Sequence, residues 1–592
     1  MKTPVINDIK GNMYTDVMEA KPDNINTNSI QYGENNHIEY KWSNAQQEKI
    51  LQLSFQLVRT TDREKRCRLA IKFRECFETG TDNEKQILLK LLAHTRDIEE
   101  GKGEYALTHC ILSELGETHK TVCLEFIKYM VGYKTTITPY GSWKDIKYLL
   151  NELENCPSEV LDMMNVQLRN DKTIVDTNTN NCSLVAKWIP REKSKKFGWI
   201  NKELAKNYYP EFGKNGWTKA SLNKAQTHYR KLLTRINKHI DTVQIKQCGK
   251  KWKDINFDKV TSNTMMKQKK AFLNETIDTD DRKMCCKNIL EYMKQVESGE
   301  KTMKGSNTSI VDLVKHALNV NDDMNNMNNT NNRNNTNEVN IINEIWKNNS
   351  SNTPELANMI AMVDTSESME YEDRNPLCSA IGLGCRVAEK SKLGRRVLTF
   401  NNRPSWINLE NSETLCDMVK TINDVPCGMN ANIYKAMDLI IDGIVETKMD
   451  IDEVNKLVLV VFSDMQFDRQ HDTDTNDTND TNDTNDTNDT NDTKKIEYVR
   501  EIVDEKFHSA GMRICGKAYK APHIIFWNLR STDGFPELSY RPGYSMMSGY
   551  SSHPLNIFTQ KELYGIESQT PWKMLKKTLN NRRYNILEQI IV

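Results

Sequence analysis

The sequence predicts a multidomain protein in which an N-terminal all-α helical-repeat array precedes a C-terminal doubly wound α/β domain built on a parallel sheet. Three observations carry this expectation. Apolar residues recur at helical spacing as far as about residue 318. Beyond residue 355, short apolar β-rich runs alternate with helical stretches. Between the two lies an asparagine-rich segment.

The first 44 residues are polar and aperiodic, so order is expected to begin near Gln46 after a flexible tail. From 45 to 318 the runs ILQLSFQLV (50–58), QILLKLLAH (86–94), YALTHCILSEL (105–115), TVCLEFIKYMV (121–131) and WKDIKYLL (143–150) mark successive amphipathic helices. Residues 319–354, opening NVNDDMNNMNNTNNRNNTNEVN, read as a linker or insertion too polar to offset its ordering entropy. In 355–592, MIAMV (359–363), RRVLTF (395–400), KLVLVVF (456–462) and HIIFW (523–527) read as strands buried on both faces, with PLCSAIGLGCRVAEK and NIYKAMDLIIDGIVE as intervening helices. An Asn-Asp-Thr repeat over 471–493 reads as a solvated loop. It lacks the glycine turn and terminal glutamate of an EF-hand calcium loop.

At 592 residues the chain exceeds the size of one ordinary core. Lys+Arg and Asp+Glu are both 81, so net charge names no partner. Distribution does: residues 181–270 hold 22 Lys/Arg against 6 Asp/Glu. The 14 cysteines include no CxxC pair, which points to a reduced, intracellular and cytoplasmic setting, the host cytoplasm if the chain is viral. The N-terminus has no apolar signal core and no run of about 18 apolar residues occurs, so no membrane is expected.

The strand MIAMV ends in Asp364 and runs into a D-x-S-x-S string, Asp364, Ser366 and Ser368; the strand LVLVVFS delivers Asp464 about 100 residues later. In doubly wound folds ligands bind outside the carboxyl ends of strands. Carboxylate and hydroxyl oxygens gathered there are hard ligands, suited to Mg2+, Mn2+ or Ca2+. This constellation resembles the metal-ion-dependent adhesion site of von Willebrand factor A (vWA) domains. The resemblance implies a vWA-like, Rossmann-like sheet, a divalent cation among Asp364, Ser366, Ser368 and Asp464, and a protein partner recruited with or without that cation. Two positions depart from the pattern. Glu367 stands where glycine is usual, and Ala431 stands at the expected threonine, leaving Asn430, Asn432 or Glu367 as substitute ligands. Without an ion, Asp364 would cap the following helix.

The strings HTRDIEEGKGE (94–104), YGSWKDIKYLL (140–150), SLVAKWIPREKSKKF (183–197), DMQFD (464–468), FWNLRSTDGFP (526–536) and SMMSGYS (545–551) are similar to signatures of the DUF2828 family of plants, fungi and giant viruses. The order of helical array and A-type domain resembles the Ro/TROVE ribonucleoproteins, which implies RNA as a partner; fold alone does not fix function.

In 187–270 lysines interleave with aromatics. Lys187, Arg191, Lys193, Lys195, Lys196, Lys250 and Lys251 are candidates for phosphate contacts, and Trp199 and Trp252 for base stacking, with Trp188 and Trp217 beside them. Tryptophans in a helical array also serve as core anchors. GKGE at 101–104 lacks phosphate-loop spacing and a preceding strand, and no serine or cysteine sits on a glycine-flanked elbow. The expected function is non-enzymatic RNA binding. The alternatives are a protein-only scaffold and, third, an Asp364-dependent phosphotransferase or phosphatase.

Overall fold

The computed structural model describes residues 30–135, 138–152, 158–179, 182–274, 277–304, 307–326, 332–426, 428, 431–468, 499–559 and 566–590. Among them, an all-α region is followed by a sheet flanked by helices, as the sequence predicts. The sheet strands are β3 (Met359–Asp364), β4 (Arg396–Phe400), β5 (Ser405–Asn408), β6 (Val458–Ser463), β7 (His523–Asn528) and β8 (Tyr544–Ser548). Their order is β5-β4-β3-β6-β7-β8, and every neighbouring pair is parallel except β4 with β5. From β3 the chain moves outward to β4 and β5, then returns to β6 on the other side. The crevice between the carboxyl ends of β3 and β6 is therefore the switch point of the sheet.

Alternation along the strands divides the sheet between two cores. Met362, Leu459, Val461, Ile524 and Phe526 join a cluster with helices Ile433–Thr447 and Val499–Cys515 and with the helical region from Gln46 to His239. Their neighbours Val363, Val458, Val460, Phe462, Ile525 and Trp527 join a second cluster with helices Tyr371–Lys390, Leu415–Asn423 and Ser262–Ser350. A period of two sends successive side chains to opposite faces, so the helical region contributes to both cores.

Three expectations need correction. The described chain is ordered before Gln46: β1 (Ile30–Tyr32) and β2 (Ile38–Tyr40) form an antiparallel hairpin, fastened by reciprocal 2.9 Å bonds between the backbones of Tyr40 and Phe535. The segment 319–354 is largely helical, in helices Ile310–Asn326 and Asn332–Ser350. Ile341, Ile342, Ile345 and Trp346 form a buried stripe in the second core, and this apolar face supplies what the asparagines cannot. The sheet also has an antiparallel edge, β5, and a last strand, β8, that no continuous apolar run marks in the sequence. The Asn-Asp-Thr loop lies outside the described residues.

Two contacts fix the helical region to the sheet. The carboxyl end of helix Gln46–Gln56 is capped from outside: Lys102 Nζ donates to the carbonyls of Ser54 (2.5 Å) and Leu57 (3.2 Å) and to Ser548 Oγ (2.7 Å). Asn528 Nδ2 donates to the Phe55 carbonyl at 3.0 Å. GKGE is thus a structural turn whose lysine satisfies orphan helix carbonyls. On the other face, Gly382 and Gly384 let helix Tyr371–Lys390 lie close to two neighbours. An added Cβ would come within 2.2 Å of Ile310 Cγ2 at Gly382 and 2.5 Å of Val363 Cγ2 at Gly384.

Candidate functional site

At the switch point, β3 and β6 deliver Asp364, Ser463 and Asp464, all with no exposed surface. Register sets Val363 against Phe462, so Asp364 and Ser463 end adjacent strands side by side. Ser463 Oγ donates to Asp364 Oδ2 at 2.6 Å, and the Ser366 N–H donates to Asp364 Oδ1 at 2.9 Å. Ser366 Oγ and Ser368 Oγ lie 3.1 Å apart. Burial, with the nearby Asp464 charge added, raises the Asp364 carboxyl to about 7 against the opposing bonds from Ser366 and Ser463. The loop is steadied by Gly428, whose carbonyl accepts from the Glu367 N–H at 3.1 Å, and by Asn401, which donates to Thr365 Oγ1 at 3.1 Å.

Asp464 has a different partner. Arg530, in the loop after β7, directs Nε at Asp464 Oδ2 at 2.8 Å. Its outer edge grips Glu34 of the hairpin in bidentate fashion, Nη1 to Oε1 at 3.1 Å and Nη2 to Oε2 at 2.7 Å. The bond from Arg530 holds the Glu34 carboxyl below its ordinary range. Gln466 adds a second tie, accepting from the Glu34 N–H at its side-chain oxygen (2.6 Å) and from Asn35 Nδ2 at its carbonyl (2.9 Å). No sequence pattern marks Arg530 as a partner of Asp464; only the string FWNLRSTDGFP placed it near a strand end.

The expected cation ligands therefore divide. Asp364, Ser366 and Ser368 are gathered as expected, while Asp464 is neutralised by a guanidinium. Asn432 caps helix Ile433–Thr447, its Oδ1 accepting from the Lys435 N–H at 2.9 Å. Glu367 is exposed, Ala431 is buried without a ligand atom, and Asn430 lies outside the described residues. This set does not fit an unmodified divalent site, because one of its two carboxylates already has its countercharge. Asp364 accepts from the Ser366 N–H, as a helix-capping aspartate does, but the residues that follow are a short 3-10 turn, Glu367–Glu370.

The basic segment forms a second candidate. Arg191, Lys193, Lys195, Lys196 and Trp199 are exposed, and those four cations have no carboxylate partner among the described residues. Arg191 and Lys193 also line a 140 Å³ cavity with Glu192, Asn201, Arg230 and Leu233. Lys187 is half-buried, and desolvation lowers its pKa. It joins a cluster in which Lys144 and Lys147 lie 5.5 and 6.0 Å from the Trp188 ring, Lys147 lies 4.5 Å from Tyr148 and 5.0 Å from Phe197, and Lys196 lies 5.4 Å from Phe197. Lys144, Lys147 and Tyr148 come from the string GSWKDIKYLL, outside the basic segment whose composition marks it for binding.

A buried network fixes the helix Trp143–Glu152 that carries them. Asp145 accepts from Arg96 at 2.9 and 2.7 Å and lies 3.0 Å from His109 Nε2. Burial alone would raise the Asp145 carboxyl, but His109 and Arg96 outweigh it and hold it well below the ordinary range.

Lys250 and Lys251 are exposed but sit apart in packing, beside helix Asp280–Glu297. Trp252 is not a free platform. Arg282 covers its ring at 3.6 Å, and its backbone N–H donates to Asp281 at 2.9 Å. That tryptophan is an anchor.

Residues 158–352 match the family described as Domain of unknown function (DUF2828), and residues 358–587 match Domain of unknown function (DUF7788). The DUF2828 resemblance is thereby borne out over 158–352, which holds the string SLVAKWIPREKSKKF, whereas DMQFD, FWNLRSTDGFP and SMMSGYS fall in the DUF7788 match. The chain is 26% identical over 519 residues to an uncharacterized protein of Acanthamoeba polyphaga mimivirus, covering 82% of this chain and 78% of that one. The Ro (RSR) protein of Deinococcus radiodurans superposes over 88% of this chain and 100% of its own, at 11% identity and a TM-score of 0.33, too distant to carry a functional argument. No described helix is long and apolar enough to cross a membrane.

Proposed function

We propose that this chain is a non-enzymatic RNA-binding scaffold whose contact surface is the lysine-aromatic cluster of the helical region. The observation that carries the reading is the convergence of Lys144, Lys147, Lys187 and Lys196 on the half-buried rings of Tyr148, Trp188 and Phe197. Flexible lysines can leave these rings for phosphates, releasing counterions, while the rings take unpaired bases. Exposed Arg191, Lys193, Lys195 and Lys196 extend the same positive surface. A duplex would use the lysines and leave the rings idle, so the cluster favours single-stranded or looped RNA.

Electrophoretic or fluorescence titration of a 20-nucleotide single-stranded RNA across a salt series tests this. Replacing Lys144, Lys147 and Lys196 by glutamine is expected to lower affinity and to reduce the salt slope by roughly 0.7–1 for each phosphate no longer neutralised. An unchanged affinity and slope would sink the reading and leave a protein-only scaffold. A structural rather than nucleophilic role for Asp364 is supported by its burial and by its hydrogen bonds, which engage both carboxylate oxygens. Turnover of a generic phosphate ester, abolished in Asp364→Ala, would instead favour the phosphotransferase alternative.

A further inference from the structure

We infer that the switch-point site carries its cation within the chain: Arg530 takes the electrostatic place of a divalent ion, and Glu34 of the N-terminal hairpin is the carboxylate it holds there. The inference stands independently of RNA binding.

A divalent ion at the end of such strands would do two things. It would neutralise buried carboxylates, and it would offer positive charge to an incoming oxygen ligand. Arg530 does both. Its inner edge neutralises Asp464, which is fully buried and would otherwise bear an uncompensated charge beside Asp364. Its outer edge presents two N–H donors in the fork geometry that matches a carboxylate, and both are taken by Glu34. An ion could not share Asp464 Oδ2 with the guanidinium without like-charge repulsion.

The hairpin is fitted to this role rather than merely adjacent. Glu34 sits at its tip between β1 and β2, and the tip is tied by backbone and side chain to Gln466, two residues beyond Asp464. Its base pairs with Phe535, five residues beyond Arg530. Both ends of the hairpin are thus anchored on the loops that present the two charged residues. Among the described residues the remaining departures follow the same direction: Ala431 supplies no hydroxyl, and Asn432 is spent on a helix cap. A partner's carboxylate could take the outer edge of Arg530 only by displacing Glu34.

Manganese provides the probe. The full chain, stripped with chelator, is titrated with MnCl2 while free ion is read by electron paramagnetic resonance, for wild type, Arg530→Gln and Arg530→Lys. The expected result is no stoichiometric binding by wild type or by Arg530→Lys, which keeps the charge, and one ion bound by Arg530→Gln, which frees Asp464. One ion bound by wild type and absent from Asp364→Asn would overturn the inference, as would a folded Arg530→Gln that binds none. Should Arg530→Gln fail to fold, hydrogen exchange decides. Lysine retains charge without the bidentate fork, so Arg530→Lys is expected to speed exchange at the Glu34 amide about two- to fivefold, and unchanged exchange would overturn the assignment of Glu34 as the held carboxylate.

Discussion

Arg530 Nε lies 2.8 Å from Asp464 Oδ2 across 66 residues of sequence, and the same guanidinium holds Glu34 on its opposite edge. The two carboxylates differ in environment. Asp464 has no exposed side-chain surface, whereas Glu34 is 57% exposed. Coulombic coupling strengthens and screening weakens as water is removed, so one guanidinium makes one strong pair and one weak one.

Double-mutant cycles should separate them. Asp464→Asn leaves Arg530 partly buried beside a neutral amide and is expected to cost about 2–4 kcal/mol of stability, with a coupling to Arg530→Gln of more than about 1.5 kcal/mol. Glu34→Gln is expected to cost under about 1 kcal/mol with correspondingly small coupling. Chemical denaturation of the four variants in each cycle measures both. Equal couplings would mean that burial does not grade this network.

Trp199 and Trp252 were alike as sequence candidates and should behave oppositely. Trp199 is 37% exposed, whereas the Trp252 ring is half-buried under Arg282 and packs at 6.4 Å from Phe272. Trp199→Ala is expected to leave stability within about 0.5 kcal/mol of wild type and to weaken RNA binding by about 1–3 kcal/mol. Trp252→Ala should destabilise by about 3–5 kcal/mol, with RNA affinity of the folded fraction unchanged. A thermal melt beside an RNA titration distinguishes the two.

The contrast also shows what sequence could and could not disclose. Strands β3, β4, β6 and β7 were legible because each is a continuous apolar run, and their carboxyl ends located Asp364 and Asp464 without coordinates. β8 was not legible, since YSMMS has the composition of a loop and becomes a strand by pairing with β7. Helix Asn332–Ser350 was hidden by composition: asparagine dominates the count, but the spacing of Ile341, Ile342, Ile345 and Trp346 decides its burial. The grip of Arg530 on Asp464 and Glu34 is tertiary, joining three distant segments, and no local periodicity encodes it.

Gly382 should resist the substitution that helix propensity favours. In helix Tyr371–Lys390 alanine would ordinarily gain about 1 kcal/mol over glycine. Here the added methyl meets Ile310 Cγ2 at 2.2 Å, and that carbon is fixed to a branched Cβ in a buried helix. Displacing it is expected to cost about 1–3 kcal/mol, so Gly382→Ala should be destabilising on balance. Pairing it with Ile310→Val, which keeps that clashing methyl, should leave the two effects additive; Ile310→Ala, which removes it at its own burial cost, should make the double variant lose less than the sum of the single losses. A midpoint that rises in Gly382→Ala alone would show that the helix Ile310–Asn326 packing yields more easily than its geometry implies.

Glu537 supplies a pH dependence whose sign is fixed by burial. It is 2% exposed, accepts from the Leu538 N–H at 2.9 Å and lies 3.4 Å from Arg541 Nε. Burial raises its carboxyl from 4.5 to about 7, with the Glu48 charge adding to the rise and Arg541 and the Leu538 N–H opposing it. Because its folded value lies above its unfolded one, the native state retains a proton between pH 4.5 and 7 that the unfolded chain has released. The stabilisation is therefore complete below pH 4.5 and disappears as pH rises through 7. Glutamine is neutral throughout and keeps the hydrogen-bonding shape of a protonated acid. Glu537→Gln should thus match wild type near pH 4.5–5 and exceed it at pH 8 by up to about 3 kcal/mol, at about 1.36 kcal/mol for each unit of displaced pKa. Urea unfolding at both pH values is the measurement. Parallel curves, with the same difference at about pH 5 and pH 8, would falsify the protonated state of Glu537 at the joint between helix Gln46–Gln56 and the loop following Phe535.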